Sequence, residues 1–430
     1  MENKINIMVF PCGTELGLEV YEALKYARTL NLIGANSVND HGKFVYKNYV
    51  DGIPFVNKDN FISVLAKIVN KYKVDLLYPT NDAVLLKISQ NAHLLGCKVI
   101  GSPPETAEIC CSKLKTYQFL MGKVRVPVVY SLEKIKRFPV FLKPEVGHSS
   151  KGTHLANSLR ELKFYLKQDS SLLILEYLPG DEYTVDCFTD RHGKLRFVGP
   201  RTRERIFGGI AVNTRPVKKI KEFTDIAKKL NKALVFRGGW FFQVKRDVKG
   251  RLCLMEAAPR FHGSTALFRA LGVNLELLSV WDALDKDVTV FKNKFNVVMD
   301  RALDHKYKTN LKYDLVYVDL DDCLIINSQL NTTLVTFLYQ CFGRGVKLYL
   351  ISRHKDDVEE TLKHYRLGGL FDKIIHIQET GKDQKTRTPK SKYISGNAIF
   401  IDDSFSERLD VMEKCKIPVF DPSAVDCLLE

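Results

Sequence analysis

The fold in the middle of the chain is decided by the stretch FFQVKRDVKGRLCLMEAAPR, residues 241–260. Two runs of β-forming residues flank the turn sequence DVKG, a pattern that predicts a β-hairpin. Gln243 and Glu256 stand on its two strands, so their side chains can point into one cavity. Their oxygens suit Mg²⁺, which prefers one or two carboxylates together with substrate phosphates. A glutamate that only closes a salt bridge, with Arg260 as its partner, explains the same pattern.

Two motifs precede this hairpin. Lys143 ends a predicted strand in FPVFLKP, and the small-residue loop EVGHSSKGT follows it. A lysine at a strand end can reach phosphate oxygens, and such a loop exposes N–H groups that wrap phosphates. In ILEYLPGDEYTVD, the strand end at 176–178 offers backbone edges to an adenine ring, and Glu182 can take ribose hydroxyls. Taken alone, the first motif is also typical of an ordinary surface lysine, and the second of an ordinary hairpin with acidic residues.

A third motif is RTRERIFGG, residues 201–209, with an arginine at every second position up to 205. Alternate positions of an extended strand share one face, so the spacing predicts three guanidinium groups on one side. Such a face suits a γ-phosphate or a carboxylate, and a solvated basic edge strand is the simpler interpretation.

In their order and spacing these motifs resemble the ATP-grasp superfamily, and within it the carbamoyl-phosphate-synthase-like carboxylate–amine ligases. The resemblance covers about residues 1–290 and includes TELGLEVYEAL and CSKLKTYQFLMGKVRVP. It implies ATP and Mg²⁺ (or Mn²⁺) as cofactors. It also implies a carboxylate that attacks the γ-phosphate to give an acyl phosphate, from which an amine displaces phosphate.

The resemblance assigns site residues in two groups. The nucleotide-binding group is Lys113, Lys143, Gly147, Ser149, Ser150, Gly152, Glu176, Tyr177, Leu178, Glu182 and Gln243. The second group is Gln243 and Glu256 as metal ligands, with Arg203 and Arg260 at the transferred phosphate.

One position departs from the family pattern. The family usually has Glu-x-Asn-Pro-Arg at the place where this chain has EAAPR, so Ala258 replaces an asparagine that helps to hold a second Mg²⁺. Alanine cannot coordinate a metal. Either substrate and water fill the gap, or one metal suffices, or the site is impaired.

The last part of the chain carries a second set of carboxylates. The strand LVYV ends in DLDDCL, where Asp319 and Asp321 stand two apart and can point the same way. Paired carboxylates allow one nucleophile and one general acid/base, and Mg²⁺ relieves their repulsion. Later strands end at Ser352, whose hydroxyl can donate a hydrogen bond to phosphate, and at Asp402, a further metal ligand. Lys390 lies between them in TPKSKYI.

This constellation resembles the haloacid-dehalogenase-type (HAD) phosphatases over about residues 313–430. The resemblance implies that Asp319 is the nucleophile and Asp321 the general acid/base. It implies a phosphoryl group held by Ser352 and Lys390, with Lys392 as a rival, and Mg²⁺ held by Asp319, Asp321 and Asp402.

Two details qualify this second resemblance. Cys323 stands where the family usually has Thr or Val, but the carboxylates are intact. About 30 residues separate Asp322 from Ser352 and about 37 separate Ser352 from Lys390, too few for a substantial cap domain. An uncapped site is open and can admit a large substrate.

The length of 430 residues is too great for one ordinary core, and 45% hydrophobic with 27% charged residues is typical of globular chains. We expect a multidomain protein of α/β and α+β class. Its predicted parts are a Rossmann-like pre-ATP-grasp domain (1–105), an ATP-grasp domain (106–300), a basic linker (301–312) and a Rossmann-like HAD domain without a cap (313–430).

The charge of +15 is concentrated in residues 1–310, with 49 basic against 31 acidic residues, while residues 311–430 have 16 against 19. The lysines are dispersed, so an ATP and anion cleft is favoured over nucleic-acid binding. No apolar run of about 18 residues, no signal peptide and ten scattered cysteines without a CxxC pair predict a reduced, cytoplasmic protein without a membrane span.

The expected function is bifunctional: a ligase with small-molecule carboxylate and amine substrates, and a phosphomonoesterase acting on a phosphorylated small molecule. One alternative is a phosphatase whose ATP-grasp part only binds nucleotide, which Ala258 favours. Another is a non-enzymatic nucleotide- or nucleic-acid-binding module that uses the basic part. The oligomeric state is open, a homodimer included.

Overall fold

The structure is a computed structural model that describes residues 4–147, 151–304, 306–307, 309–378 and 388–429. The chain divides into two units, residues 1–304 and 305–430. The division falls inside the stretch predicted as a linker. Arg301 still takes part in the first unit, since its N–H donates to Val212 O at 2.8 Å and its guanidinium lies 2.5 Å from Glu15.

The first unit contains sixteen strands and ten α-helices among its described residues. Its strands are β1 (Ile5–Phe10), β2 (Leu30–Ala35), β3 (Asn48–Val50), β4 (Leu76–Pro79), β5 (Lys98–Val99), β6 (Val129–Tyr130), β7 (Val140–Lys143), β8 (His154–Ala156), β9 (Leu173–Glu176), β10 (Glu182–Thr189), β11 (Leu195–Thr202), β12 (Arg205–Phe207), β13 (Ile210–Thr214), β14 (Gly238–Arg246), β15 (Leu252–Ala258) and β16 (Met299–Asp300). Its helices are α1 (Glu15–Leu24), α2 (Gly42–Val45), α3 (Phe61–Lys71), α4 (Asp82–Gln90), α5 (Pro104–Cys111), α6 (Lys113–Leu120), α7 (Leu159–Gln168), α8 (Lys221–Ala233), α9 (Ala266–Ala270) and α10 (Leu275–Ala283). Short 3₁₀ turns lie at Ala92–Leu94 and Leu132–Lys134.

The N-terminal part of this unit is a parallel sheet in the order β3-β2-β1-β4-β5. β1 is apolar on both faces: Ile7 and Val9 pack into one core, and Met8 and Phe10 into another. Burial on both faces explains why its sequence is a continuous apolar run. Phe261, from far along the chain, packs into the first of these cores. This shared core joins residues 1–105 to residues 106–300, which the sequence predicted as separate domains.

Two four-stranded sheets follow, in the orders β6-β9-β7-β8 and β11-β10-β14-β15, with antiparallel pairing. A smaller sheet has the order β12-β13-β16. Along β14, Trp240, Phe242 and Val244 face the core beneath α8, so the alternating Gln243 faces the other side. The hairpin predicted around DVKG is β14–β15, and it presents its polar side chains away from that core.

The second unit is built around a parallel sheet in the order β21-β20-β17-β22-β23. Its strands are β17 (Leu315–Val318), β18 (Ile325–Ile326), β19 (Gln329–Leu330), β20 (Lys347–Ser352), β21 (Lys373–His376), β22 (Ala398–Ile401) and β23 (Val419–Phe420). Its helices are α11 (Thr332–Gly343), α12 (Val358–His364) and α13 (Phe405–Cys415), with 3₁₀ turns at Lys390–Tyr393 and Pro422–Leu428. Between β17 and β20 lie only the β18–β19 hairpin and α11.

The central strand β17 is buried on both faces. Val316 and Val318 belong to one core and Tyr317 to the other. The strand therefore holds its carboxyl end, where Asp319 follows, in a fixed place. Across the described parts of both units, no helix combines the length and the apolar character needed to cross a bilayer.

Candidate active sites

The Gln243–Glu256 pair lies in the first unit on two adjacent strands. The two residues are directly opposite each other in the β14–β15 ladder, with a bulge immediately after Gln243. Within the described residues, the Glu256 carboxylate has no hydrogen bond and no ion pair. The salt bridge to Arg260 that the sequence offered as an alternative does not form. Glu256 is therefore available to a cation.

Arg260 binds a different carboxylate. Its Nε and Nη2 donate to the two oxygens of Asp82 at 2.7 and 2.6 Å, a bidentate pair. Asp82 begins α4 in the N-terminal part of the unit. Arg260 thus links the N-terminal sheet to the hairpin that carries Glu256.

Two lysines lie close to this hairpin. Lys143 is 6% exposed, and its Nζ donates to the carbonyl of Met255 at 3.3 Å. Burial lowers the pKa of Lys143 to about 8; the Glu256 charge opposes that shift and the Lys113 charge adds to it. Lys113 begins α6, and its Nζ donates to Gly147 O at 2.9 Å. A bound anion can replace these weak carbonyl contacts with charge-assisted ones.

The loop after Lys143 is described in part. Gly147 and Gly152 are described, while Ser149 and Ser150 lie outside the described residues. Gly152 has a φ of +68°, and a Cβ there would meet Pro144 Cγ at 3.1 Å. The position therefore favours glycine on both backbone and packing grounds.

The segment predicted to contact adenine and ribose is already engaged within the protein. The carboxylate of Glu176 lies 2.5 Å from Arg125 Nη2. Glu182 opens β10, and its carboxylate has a guanidinium partner. Tyr177 is half-buried and Leu178 is buried, so these two residues offer mainly their backbone to a ligand.

Only two of the three arginines of residues 201–205 share one face, so that prediction is wrong in part: Arg201 and Arg203 both reach β10. β11 ends at Thr202 and β12 begins at Arg205, and alternation of side chains holds only along a continuous strand. Arg201 is fully buried, and its Nε donates to Asp186 Oδ2 at 2.7 Å, whereas Arg205 is exposed.

Arg203, the arginine predicted at the transferred phosphate, lies between these two strands and is nearly buried. Its Nε is 2.8 Å from Glu182 Oε1. Its Nη atoms donate to Thr184 Oγ1 at 3.3 Å and to Gly209 O at 3.2 Å. Thr184 is the partner of Gln243 in the β10–β14 ladder. The structure thus brings Arg203 to the strand beside the predicted metal ligand.

His262 lies among the arginines of this site, and no motif predicted it. Its Nδ1 accepts the Ser264 N–H at 3.2 Å, so a neutral ring carries its proton on Nε2. Burial and nearby positive charge hold the pKa of His262 well below its usual range. The charges are those of Arg201, Arg203, Arg260 and Arg301. The sequence feature that could have identified it is its position two residues after Arg260.

In the second unit, carboxylates converge at the ends of neighbouring parallel strands. Asp319 follows β17, and Asp402 and Asp403 follow β22. Ligand oxygens of these three residues all lie within 4.8 Å of one another. Lys390 Nζ lies 2.8 Å from Asp319 Oδ1 and 2.6 Å from Asp402 Oδ2. Three carboxylates around one ammonium leave excess negative charge, which fits Mg²⁺.

Burial is the main cause of the raised pKa values in this cluster. Burial raises the pKa of Asp402 to about 6, with Lys390 opposing the shift and Asp319 adding to it. Burial also raises the pKa of Asp319 despite the Lys390 charge. Of the two rival lysines, the buried Lys390 reaches the carboxylates, while Lys392 is exposed.

Asp321 does not join this carboxylate cluster in the described structure, so its predicted place as a side-chain metal ligand is corrected. The strand ends at Val318, and Asp322 has a φ of +53°, so the backbone turns before it can keep strand alternation. The Asp321 carboxylate instead lies 2.9 Å from His354 Nδ1. Ser352 ends β20 beside them, and its Oγ accepts the His354 N–H at 3.2 Å.

Comparisons with known proteins agree with the motifs of the first unit. Residues 168–303 match a family model described as ATP-grasp in the biosynthetic pathway with Ter operon. The chain is 30% identical over 132 residues to a D-alanine–D-alanine ligase of Thermotoga sp. (strain RQ2). That alignment covers 28% of this chain and 44% of the ligase, so the chain spans less than half the length of this relative.

Solved structures share the fold of about two thirds of the chain. The biotin carboxylase domain of the Hydrogenobacter thermophilus 2-oxoglutarate carboxylase, solved with MgADP and bicarbonate, has a TM-score of 0.59 at 13% identity and covers 69% of this chain and 74% of that chain. The L-amino acid ligase from Bacillus licheniformis has a TM-score of 0.54 at 17% identity, with 66% and 75% covered. The ATP-grasp fold predicted from the motifs is confirmed.

Proposed function

We propose that the first unit is an ATP- and Mg²⁺-dependent ligase that joins a carboxylate to an amine. The observation that carries this proposal is Glu256, an unpaired carboxylate opposite Gln243 and close to the charge of Lys143. The ligase names of the Thermotoga and Bacillus relatives support the same class of reaction.

The proposed reaction has two steps. A carboxylate oxygen of the acid attacks the γ-phosphorus of ATP, and the bond to the β-phosphate oxygen breaks to release ADP. The amine nitrogen then attacks the acyl carbon and loses a proton, and the carbon–oxygen bond to phosphate breaks. Lys113 and Lys143 hold phosphate oxygens, and Arg203 and Arg260 face the transferred group. Gln243 and Glu256 would hold Mg²⁺, which would neutralise charge on the phosphates.

Ala258 bears on how many metals this site holds. Because it lies two residues after Glu256 on β15, it belongs to the same face of the strand. It is buried and offers no ligand atom. We therefore propose a single protein-bound Mg²⁺, with the remaining coordination supplied by ATP, substrate and water.

An ADP-release screen tests this proposal. Pairs of carboxylic acids and amines are supplied with MgATP to the full chain, with Glu256→Gln as the comparison variant. ADP release that needs both an acid and an amine, and that the variant loses, is the expected result. ATP binding without ADP release for every pair would contradict ligase activity.

We propose a phosphomonoesterase function for the second unit, on the convergence of Asp319, Asp402, Asp403 and Lys390 at one point. A carboxylate oxygen of Asp319 attacks phosphorus, and the bond to the leaving oxygen breaks as Asp321 supplies a proton. Water then attacks the aspartyl phosphate while Asp321 accepts a proton, and phosphate leaves. Ser352 and Lys390 hold the phosphoryl oxygens.

Phosphate release from a panel of phosphate monoesters with Mg²⁺ tests this function. Hydrolysis by the unaltered chain that the Asp319→Asn variant loses is the expected result. Hydrolysis that survives in the variant, or none with any ester, would contradict it. Retained ATP consumption by the same variant keeps the two activities distinguishable.

A further inference from the structure

In the proposed phosphatase site, Asp321 lies outside the carboxylate cluster. Its side chain is 50% exposed, and it lies beyond the end of β17. A carboxylate with this much freedom samples several orientations, whereas a general acid must point at the leaving oxygen.

His354 supplies the missing restraint. Its Nδ1 lies 2.9 and 3.1 Å from the two oxygens of Asp321, so the N–H is shared between them. Its Nε2 lies 2.9 Å from Thr361 Oγ1 on α12. The imidazole is therefore held at both nitrogens, one by the carboxylate and one by the neighbouring helix.

The backbone of His354 is fixed as well. Its N–H donates to Ser352 Oγ at 3.2 Å, and its carbonyl lies 2.7 Å from Nε2 of His376. The side chain is only 14% exposed. A restrained ring next to a half-exposed carboxylate can set the orientation of that carboxylate.

From this geometry we propose that His354 is a positioning residue for Asp321 in phosphoester cleavage; the inference rests on the proposed phosphatase function. With Nδ1–H bonded to one carboxyl oxygen, the other oxygen carries the proton for the leaving group. That proton goes to the leaving oxygen as the phosphorus–oxygen bond breaks.

The surroundings supply room for the leaving group. A cavity of about 570 Å³ is lined by Asp321 and His354, and also by Asp322, Thr361 and His364. A leaving group placed there lies next to the Asp321 carboxyl.

The test uses two phosphate esters that differ in their need for a proton. Cleavage of an alkyl phosphate releases a strongly basic alkoxide, whereas cleavage of p-nitrophenyl phosphate releases a stable anion. His354→Ala in the full chain should lower kcat/KM for the alkyl ester roughly 100-fold, because general acid catalysis is worth about 10²–10⁴. The loss for the aryl ester should be much smaller. His354→Asn, with an amide N–H near the position of Nδ1, should recover part of the alkyl activity.

Two comparisons separate positioning from mere folding. Lys363→Ala, exposed on α12 and outside the lining of that cavity, should leave both rates unchanged. In an Asp321→Asn background, His354→Ala should cost almost nothing more, since its effect passes through the carboxylate. Equal losses for both esters, or an undiminished His354→Ala cost in that background, would overturn the inference. An unaltered chain that hydrolyses neither ester would instead overturn the phosphatase function and the inference with it.

Discussion

The two units handle their buried charges in opposite ways. In the first unit the guanidinium groups of Arg201 and Arg260 each pair with a carboxylate, whereas among the described residues neither the buried Lys143 nor the Glu256 carboxylate forms an ion pair. In the second unit, three carboxylates crowd around the single ammonium of Lys390. An unpaired carboxylate and an excess of carboxylates both leave negative charge for a cation, and in the second unit burial also raises the pKa of Asp319 and of Asp402.

The largest effect should come from the crowded site. Asp319→Asn removes the proposed nucleophile and should lower phosphomonoester hydrolysis roughly 10⁴-fold or more, measured as phosphate release. Asp314→Asn is the matched control, because Asp314 precedes the same strand at its exposed end. Comparable activity in both variants would break the comparison by removing the chemical role of the carboxylate cluster.

A smaller loss is expected at the unpaired carboxylate of the first unit. Glu256→Gln keeps the shape but removes the charge that would hold Mg²⁺, so substrate-dependent ADP release should fall roughly 10²-fold. Glu222→Gln, on a surface ion pair with Arg246, should have no such effect. An unchanged rate in Glu256→Gln would mean that this carboxylate does not serve a metal.

A pH dependence should follow from Lys143. Burial depresses its pKa from the ordinary 10.5 to about 8, so the ammonium is present at pH 7 and is lost as pH rises through 8. ATP affinity, measured by calorimetry, should therefore weaken about tenfold between pH 7 and 9. Lys143→Arg keeps its charge over this range and should show a flat profile. Parallel profiles in the two proteins would exclude Lys143 as the titrating group.

The contribution of Lys143 to folding stability should change with pH in the opposite direction. The unfolded chain keeps the Lys143 proton up to about pH 10.5, whereas the folded protein loses it near 8. Stability from this group therefore rises between these pH values, while ATP affinity falls. The two trends in opposite directions distinguish Lys143 from a group whose loss simply unfolds the protein.

The smallest effect is expected at the exposed member of the cluster. Asp403→Asn removes one of three carboxylates and should weaken Mg²⁺ binding about tenfold, with little change in Tm. Glu413→Gln, exposed on α13, is its control. Unchanged Mg²⁺ affinity in Asp403→Asn would restrict the metal to the two buried carboxylates.

Sequence was informative where a site is built from strand ends. β17 and β22 have the bounds that their apolar runs predict, and parallel neighbours must bring Asp319 and Asp402 together. The sequence did not reveal where strand geometry stops. Because the backbone turns after Asp319, the side chain of Asp321 contacts His354. His354 is held in turn by Thr361 on α12.

The prediction that all three arginines of residues 201–205 share one face was wrong for a related physical reason. The regular spacing predicted one continuous strand, but the strand is interrupted between β11 and β12. Each guanidinium then found a carboxylate close by in space and distant in sequence, as Arg201 did with Asp186. Ion-pair partners of this kind are set by sheet register, which one sequence does not specify.

The central claim is that the first unit activates a carboxylate as an acyl phosphate. The most direct measurement supplies an acid labelled with ¹⁸O in its carboxylate, together with its amine and MgATP, and analyses the released phosphate by mass spectrometry. The prediction is one ¹⁸O atom transferred to each phosphate in step with ADP release, and a transfer that is roughly 10²-fold slower with Glu256→Gln. Amide formation with unlabelled phosphate would contradict the acyl-phosphate route.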